Sequence, residues 1–241
     1  MPLKSWDTKA AYDEAYNIGA EPEGRPSSRP EVRLHYNRAA MYPYAEVHAQ
    51  MMIDRLGLAA NLAQKIVIVG CGYGWVIEKL LEMGFTNVAG TDTSSYIQGT
   101  KTQTEDAEID AAIAAAGLDP TQGEGLALRQ KILPAVARSK VPDKVLNEDM
   151  ANNASRNRIK NAVGGGTIAW GISDSVLESL TDSECVTASS RAHQICTNVA
   201  HLVVTARDGN HPGYNWKTLE QWKTLIPADT FIQVGGAWRS L

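Results

Sequence analysis

The chain has 241 residues, 44% of them hydrophobic and 21% charged, which is enough for one substantial core and too little for two full-sized enzyme domains with a linker. Its 20 glycines and 10 prolines set it apart from collagen-like compositions, and 23 basic against 27 acidic residues leave a net charge of −4, so no global field draws it to nucleic acid or an anionic bilayer. No apolar run approaches the roughly 18 residues of a membrane helix, the first residues lack an apolar signal core, and Cys71, Cys185 and Cys196 have no CxxC spacing, so the expectation is a cytoplasmic protein with reduced thiols and no membrane partner.

Residues 1–42 read as an N-terminal arm, with a polar, helix-compatible start and then Glu21-Pro-Glu-Gly-Arg-Pro-Ser-Ser-Arg-Pro30, whose prolines and glycine oppose helix and sheet alike. From Pro43 onward Val47, Met51, Met52 and Leu56 recur at helical spacing, and Gly57 supplies a left-handed stop. Lys65-Ile-Val-Ile-Val69 is short, apolar and β-branched, the pattern of a strand buried on both faces in a parallel sheet. Gly70-Cys-Gly-Tyr-Gly74 follows, then a helix over Trp75 to Met83, then a strand over Asn87 to Thr91 that closes with Asp92. Strand, glycine turn, helix and strand make one βαβ unit with a right-handed crossover.

Residues 98–143 interrupt the alternation with an Ala-rich helix from about Thr104 to Gly117 and a second helix over Gly125 to Ser139, so they read as a helical insertion over one end of the sheet. Strands resume at Val145 to Asp149 and at Thr167 to Ile172, the latter entered through Gly164-Gly-Gly166. Ser175-x-x-Glu178 and Thr181-x-x-Glu184 both have capping-box spacing, which predicts a short turn and then a helix over Asp182 to His193. A fifth strand spans Asn198 to Thr205, and residues 207–241 hold an amphipathic helix over Trp216 to Trp222 and a strand over Thr230 to Val234, expected to pair antiparallel at the edge.

A glycine loop between a buried strand and a helix lets backbone approach a ligand closely, with helix N–H groups facing it. Gly70, Gly72 and Gly74 give GxGxG, whereas a dinucleotide fingerprint is GxGxxG and its third glycine falls on Trp75, an indole that obstructs the approach of a pyrophosphate. No Gly-Lys-Ser or Gly-Lys-Thr follows, which excludes a P-loop. Val67 to Gly74, Asp92 ending the second strand, Glu148-Asp149-Met150 after the third and Ser173 to Leu180 after the fourth resemble the class I S-adenosylmethionine-dependent methyltransferases over residues 60–206. The resemblance implies an α/β, Rossmann-like, doubly wound fold. Its sheet would be mostly parallel and seven-stranded with an antiparallel edge strand, here carrying the helical insertion after strand two and an N-terminal helical extension, all in a single domain.

The resemblance also implies S-adenosyl-L-methionine as cofactor. Gly70, Cys71, Gly72, Tyr73 and Gly74 would lie against its methionine part, Asp92 with Thr93 beside it would take the ribose hydroxyls, Asp149 and the Met150 backbone N–H the adenine, and Ile172 and Ser173 would line the cleft. Asp174 is the catalytic candidate, and Arg38 and Tyr44, ahead of the first core helix, are the substrate-binding candidates. Bland readings stand beside these: Asp92 as a helix cap, Asp149 as a solvated strand end, Asp174 as a first-turn carboxylate, and His193 and His201 as packing residues. A sulfonium methyl is already activated, so positioning dominates and a base is needed only for a protonated nucleophile.

Asp-Pro-Pro-Tyr, Asn-Pro-Pro-Tyr and Pro-Cys are absent, which disfavours DNA bases as acceptors, and no cluster has metal-ligand spacing. Arg129, Lys131, Arg138, Lys140, Lys144, Arg156, Arg158 and Lys160 form a local basic excess that would steer an RNA, a phosphorylated molecule or an acidic protein if it were not simply a solvated face. Two readings follow: methyl transfer to a small-molecule or protein acceptor, or a non-catalytic cofactor- or partner-binding protein on the same fold. A nicotinamide-dependent oxidoreductase is the weaker third.

Overall fold

The computed structural model describes residues 38–93, 110–111, 113–132, 141–150, 152–205, 215 and 217–234, with backbone alone at 38–41, 131–132 and 142. Most of the expected arm, residues 98–109 of the insertion with the expected helix start near Thr104, residues 133–140 and Trp216 lie outside the described residues. In chain order the elements are α1 (Arg38–Leu56), β1 (Lys65–Val69), α2 (Trp75–Glu82), β2 (Asn87–Asp92), α3 (Gly123–Ile132), β3 (Val145–Asn147), α4 (Arg156–Ala162), β4 (Ile168–Asp174), α5 (Asp182–Ala192), β5 (Cys196–Val204), α6 (Leu219–Leu225) and β6 (Thr230–Val234).

The strands form one sheet in the order β3-β2-β1-β4-β5-β6, and every neighbouring pair is parallel. Alternation along β1 sends Ile66 and Ile68 to a core shared with Ala45, Ala49 and Met52 of α1 and Leu80 of α2, and Val67 to an opposite core with Ile159 of α4 and Ala192 of α5. Trp222 of α6 closes the same opposite face over Val203 with Leu177 and Cys185. Helices on both faces make the sheet doubly wound, as expected.

The expected antiparallel edge strand is overturned, because β6 pairs parallel with β5 from Ala200↔Thr230 to Val204↔Val234. The cause lies in the connection: α6 is an amphipathic crossover whose Trp222 is buried on the sheet face, and a chain that returns by way of a helix re-enters in the same direction. Among the described residues the sheet has six strands rather than seven, and direct pairing of β5 with β6 leaves no room for another between them.

Three further expectations shift. Helix α1 buries Ala45, His48, Ala49 and Met52 at i, i+3, i+4 and i+7, while Val47, expected on that stripe, is 54% exposed. Thr181 and Glu184 form the expected capping box on α5, but Ser175 has φ 56 and caps nothing, and Glu178 turns inward. Helix α6 starts at Leu219 under a Thr218/Gln221 capping box rather than at Trp216. Within the insertion, α3 starts at Gly123 rather than Gly125, and its Arg129 Nε donates to Asp110 Oδ1 at 2.5 Å.

Candidate functional site

In an open parallel sheet the ligand crevice lies outside the carboxyl ends of the strands where the strand order reverses, and here that point is between β1 and β4. The glycine loop occupies it. Gly70, Gly72 and Gly74 take φ values of 67°, 52° and 81°, a left-handed region that residues with a Cβ rarely adopt. The Gly70 and Cys71 N–H groups both donate to the Thr91 carbonyl, at 2.7 and 3.1 Å, and the Gly72 N–H donates to Asp92 Oδ2 at 3.0 Å. The loop is thus hung from the end of β2, and the carboxylate that closes β2 is aimed by the loop.

Cys71 and Tyr73 are buried, Tyr73 with its ring centroid 5.2 Å from that of Trp75. Cys71 packs against β2 at Gly90, where an added Cβ would lie 2.5 Å from the Cys71 Cβ. Burial, helped by Asp92, holds the Cys71 thiol well above its ordinary pKa, which suits a packing group. Thr93 is exposed beyond Asp92.

The expected catalytic residue, Asp174, ends β4 and meets a partner that no sequence pattern announced. His48 of α1 lies with Nδ1 2.8 Å from Asp174 Oδ2, and the two side chains are only 8% and 13% exposed. Burial disfavours the charged imidazole, but the facing carboxylate outweighs it and raises the pKa of His48 above its ordinary value. Behind Asp174, Glu178 is buried, its Oε1 accepts the Val204 N–H at 2.6 Å, and its Oε2 has no hydrogen-bond partner. Burial pushes the Glu178 carboxyl up to about 7, with Asp174 adding to the effect.

Ser173 points to the other face of the sheet. Its Oγ is 2.7 Å from His201 Nδ1, His201 Nε2 is 2.6 Å from Asp229 Oδ2, and His193 Nε2 is 2.6 Å from Asp229 Oδ1. Burial works against ionisation of Asp229, but hydrogen bonds from His201, Ser189 and His193 outweigh it and hold its pKa below the usual range. A carboxylate accepting on both oxygens takes an N–H from each imidazole, which leaves His201 Nδ1 to accept the Ser173 hydroxyl proton. This network locks β4, β5, β6 and the end of α5 together.

The remaining candidates scatter. Asp149 is exposed on the stretch after β3, and Met150 is buried against Ile159 and Val163. Ile172 is fully buried in the core, so its side chain does not line the rim. Tyr44 is half-buried on α1, and the Arg38 side chain lies outside the described residues. The neighbouring Tyr42 donates its hydroxyl to Glu82 on α2 at 2.8 Å, away from β4. Much of the basic excess is committed: Arg129 to Asp110, Arg158 to Glu148, and Arg156 to Asn153 and Gln194. Among the described residues no group of three or more His, Cys, Asp or Glu is arranged to hold a metal ion, and no helix is long and apolar enough to cross a membrane.

No family model matches the chain, and no curated protein matches it by sequence. Several solved structures resemble it. Magnesium protoporphyrin IX methyltransferase (ChlM) from Synechocystis PCC 6803 with bound SAH is 13% identical over 79% of this chain and 73% of that one, with a TM-score of 0.44. The pyocyanin biosynthetic protein PhzM is 12% identical over 82% of this chain and 52% of that one, with a TM-score of 0.45. DesVI from Streptomyces venezuelae is 16% identical over 73% and 57%, with a TM-score of 0.38.

Proposed function

We propose that the chain binds S-adenosyl-L-methionine at the carboxyl rim of the sheet and transfers its methyl group, by in-line displacement, to a small-molecule or protein acceptor. The observation that carries this is the 3.0 Å hydrogen bond from the Gly72 N–H to Asp92 Oδ2. A carboxylate held in this way at the end of β2 suits the two vicinal hydroxyls of a ribose, and the left-handed glycines beside it keep the loop clear of Cβ atoms. Exposed Asp149 would take the adenine amino group, and the Met150 N–H a ring nitrogen. The bound sulfonium would supply an activated methyl group, which leaves alignment and exclusion of water to the protein.

The strand order is also that of dinucleotide-binding sheets, so the nicotinamide reading needs a specific objection. The third glycine of that fingerprint lets the helix close on the strand, and here the position is Trp75, whose indole is buried in the core cluster with Ile66 and Leu80, so the objection is one of packing and not, as expected from the sequence, of an indole standing in the way of a pyrophosphate.

Calorimetric titration with S-adenosyl-L-methionine and with NADH tests both readings. The sulfonium compound should bind, Asp92→Ala should weaken it by about tenfold or more through the lost charge-assisted hydrogen bonds, and NADH should give no heat. Absence of sulfonium binding, or tight NADH binding without it, overturns the proposal.

A further inference from the structure

We propose that Arg156 and Arg191 form an oxyanion site on the sheet face that carries α4 and α5, and that it takes the doubly charged phosphoryl group of a phosphate monoester. It uses none of the residues assigned to the sulfonium compound and does not depend on the methyl-transfer reading. Two elements build it. Asn153 lies in the short turn that leads into α4, whose first residue is Arg156, while Arg191 sits in the last turn of α5 and Gln194 just beyond it. Ile159 of α4, Ala192 of α5 and Ile195 share one core cluster, so both carriers are anchored on the same face.

The two guanidinium groups converge on the same pair of neutral acceptors. Arg156 Nη2 donates to Asn153 Oδ1 at 3.2 Å and to Gln194 Oε1, and Arg191 Nη1 donates to those same two oxygens at 2.9 and 3.4 Å. Amide oxygens orient a guanidinium without cancelling its charge. Other cations of the fold show the contrast, since Arg129 meets Asp110, Arg158 meets Glu148 and Lys217 meets Asp182. Arg156 and Arg191 have no carboxylate partner among the described residues, and acids on neighbouring segments are engaged elsewhere: Glu148 by Arg158 and Ser155, Asp229 by His193 and His201.

Two permanent like charges held side by side repel, and an anion placed against both relieves that repulsion. Donors for it are at hand. In each arginine a single terminal nitrogen makes both amide bonds, which leaves Nε and the other terminal nitrogen without a partner among the described residues. Asn153 and Gln194 are exposed and the two arginines half-buried, so the pair faces solvent with its guanidinium groups already oriented. A phosphate monoester matches it, with nearly two negative charges and three acceptor oxygens on one centre. A polynucleotide needs cations spaced along a track, whereas here the charge is gathered at one point and the nearby Arg158 is turned to Glu148.

The test is a titration of the full chain with inorganic phosphate and with phenyl phosphate at constant ionic strength, read on the nitrogen-15 resonances of the arginine side chains. Both anions should shift Arg156 and Arg191 together, with dissociation constants of about a millimolar. Gln194→Glu keeps the shape of the side chain and puts a carboxylate between the two guanidinium groups, so it should weaken both anions by about tenfold or more and leave the thermal midpoint unchanged or raised. Arg191→Gln should weaken them by a similar factor. Arg158→Gln removes an equal charge that is already paired with Glu148, and it should leave both affinities within about twofold. Shifts reproduced by chloride, undiminished binding in Gln194→Glu and Arg191→Gln, or equal weakening by Arg158→Gln overturns the proposal. A response to inorganic phosphate without one to phenyl phosphate overturns the ester assignment, and tighter binding of a uridine oligonucleotide lacking terminal phosphates than of phenyl phosphate overturns it in favour of a nucleic-acid backbone.

Discussion

Val176 lies directly on Gly70, so that a Cβ built at residue 70 would meet Val176 Cγ2 at 2.1 Å. The turn after β4 and the loop after β1 are keyed together at that contact, and Gly70 also has a left-handed φ of 67°. Gly70→Ala should therefore cost about 2–4 kcal/mol, from overpacking together with backbone strain. Adding Val176→Ala should return part of that loss, since the two residues share one contact. Urea unfolding of the single and double variants measures both, and a Gly70→Ala protein as stable as wild type would show the keying to be absent.

Glu178 links stability to pH. Its carboxyl is raised from 4.5 to about 7 by burial, so the unfolded chain ionises first and stability falls as pH rises between those values. Below the lower value both states are protonated and no penalty exists; above the upper one the full penalty of about 3 kcal/mol applies. His48 works in the same direction, because its raised pKa gives stability below its ordinary value that is lost as pH rises through the folded one. Denaturation midpoints at about pH 5.5 and about pH 8 should fall with pH in wild type and fall much less in Glu178→Gln. An equal slope in both proteins would rule Glu178 out as the source.

Asp229 serves two imidazoles with one buried carboxylate. Asp229→Ala should cost about 3–5 kcal/mol, because His201 and the Ser173 hydroxyl behind it are left in a dry interior with the network broken. His193→Ala should cost only about 1 kcal/mol, since that side chain is 32% exposed and water replaces its bond. The lowered pKa of Asp229 gives a contribution present above its unfolded value and lost as pH falls through the folded one, so the difference between Asp229→Ala and wild type should shrink in strong acid. Comparable losses for the two substitutions at neutral pH would contradict this division.

Two similar-looking motifs should respond differently to substitution. Thr181→Ala removes a side chain that caps the Glu184 N–H and should cost about 1 kcal/mol. Ser175, with the same spacing to Glu178, caps nothing and has φ 56, so Ser175→Gly should be neutral or stabilise by up to about 1 kcal/mol. Thermal unfolding of the two variants decides the matter, and a loss in Ser175→Gly matching that in Thr181→Ala would overturn the distinction.

The parts of the fold that were readable from the chain depend on local pattern: the β-branched run of β1, the glycine loop, the Thr181 box and the limits of β6 all follow from residues a few positions apart. The direction of β6 does not, because an alternating strand reads alike either way and α6 decides how it re-enters. His48 went unnoticed because a lone histidine on a helix has no signature until Asp174, 126 residues later, is folded onto it. Glu178 satisfied the spacing of a cap, yet the left-handed Ser175 and the Val204 N–H turned it inward. Asp229 likewise joins partners 36 and 28 residues away, which spacing does not reveal.

Because the six strands run one way, the turns that enter them gather, among the described residues, at the opposite rim of the sheet. One of these is Gly164 to Gly166, three successive left-handed glycines where Lys65 Nζ donates to the Gly165 carbonyl. Strand β4 runs from Ile168, beside that turn, to Asp174, a span of roughly 20 Å at strand rise. A fluorophore or short peptide tag grafted there would sit a strand's length from the carboxyl rim, which makes this turn the natural handle for immobilising the protein in binding measurements.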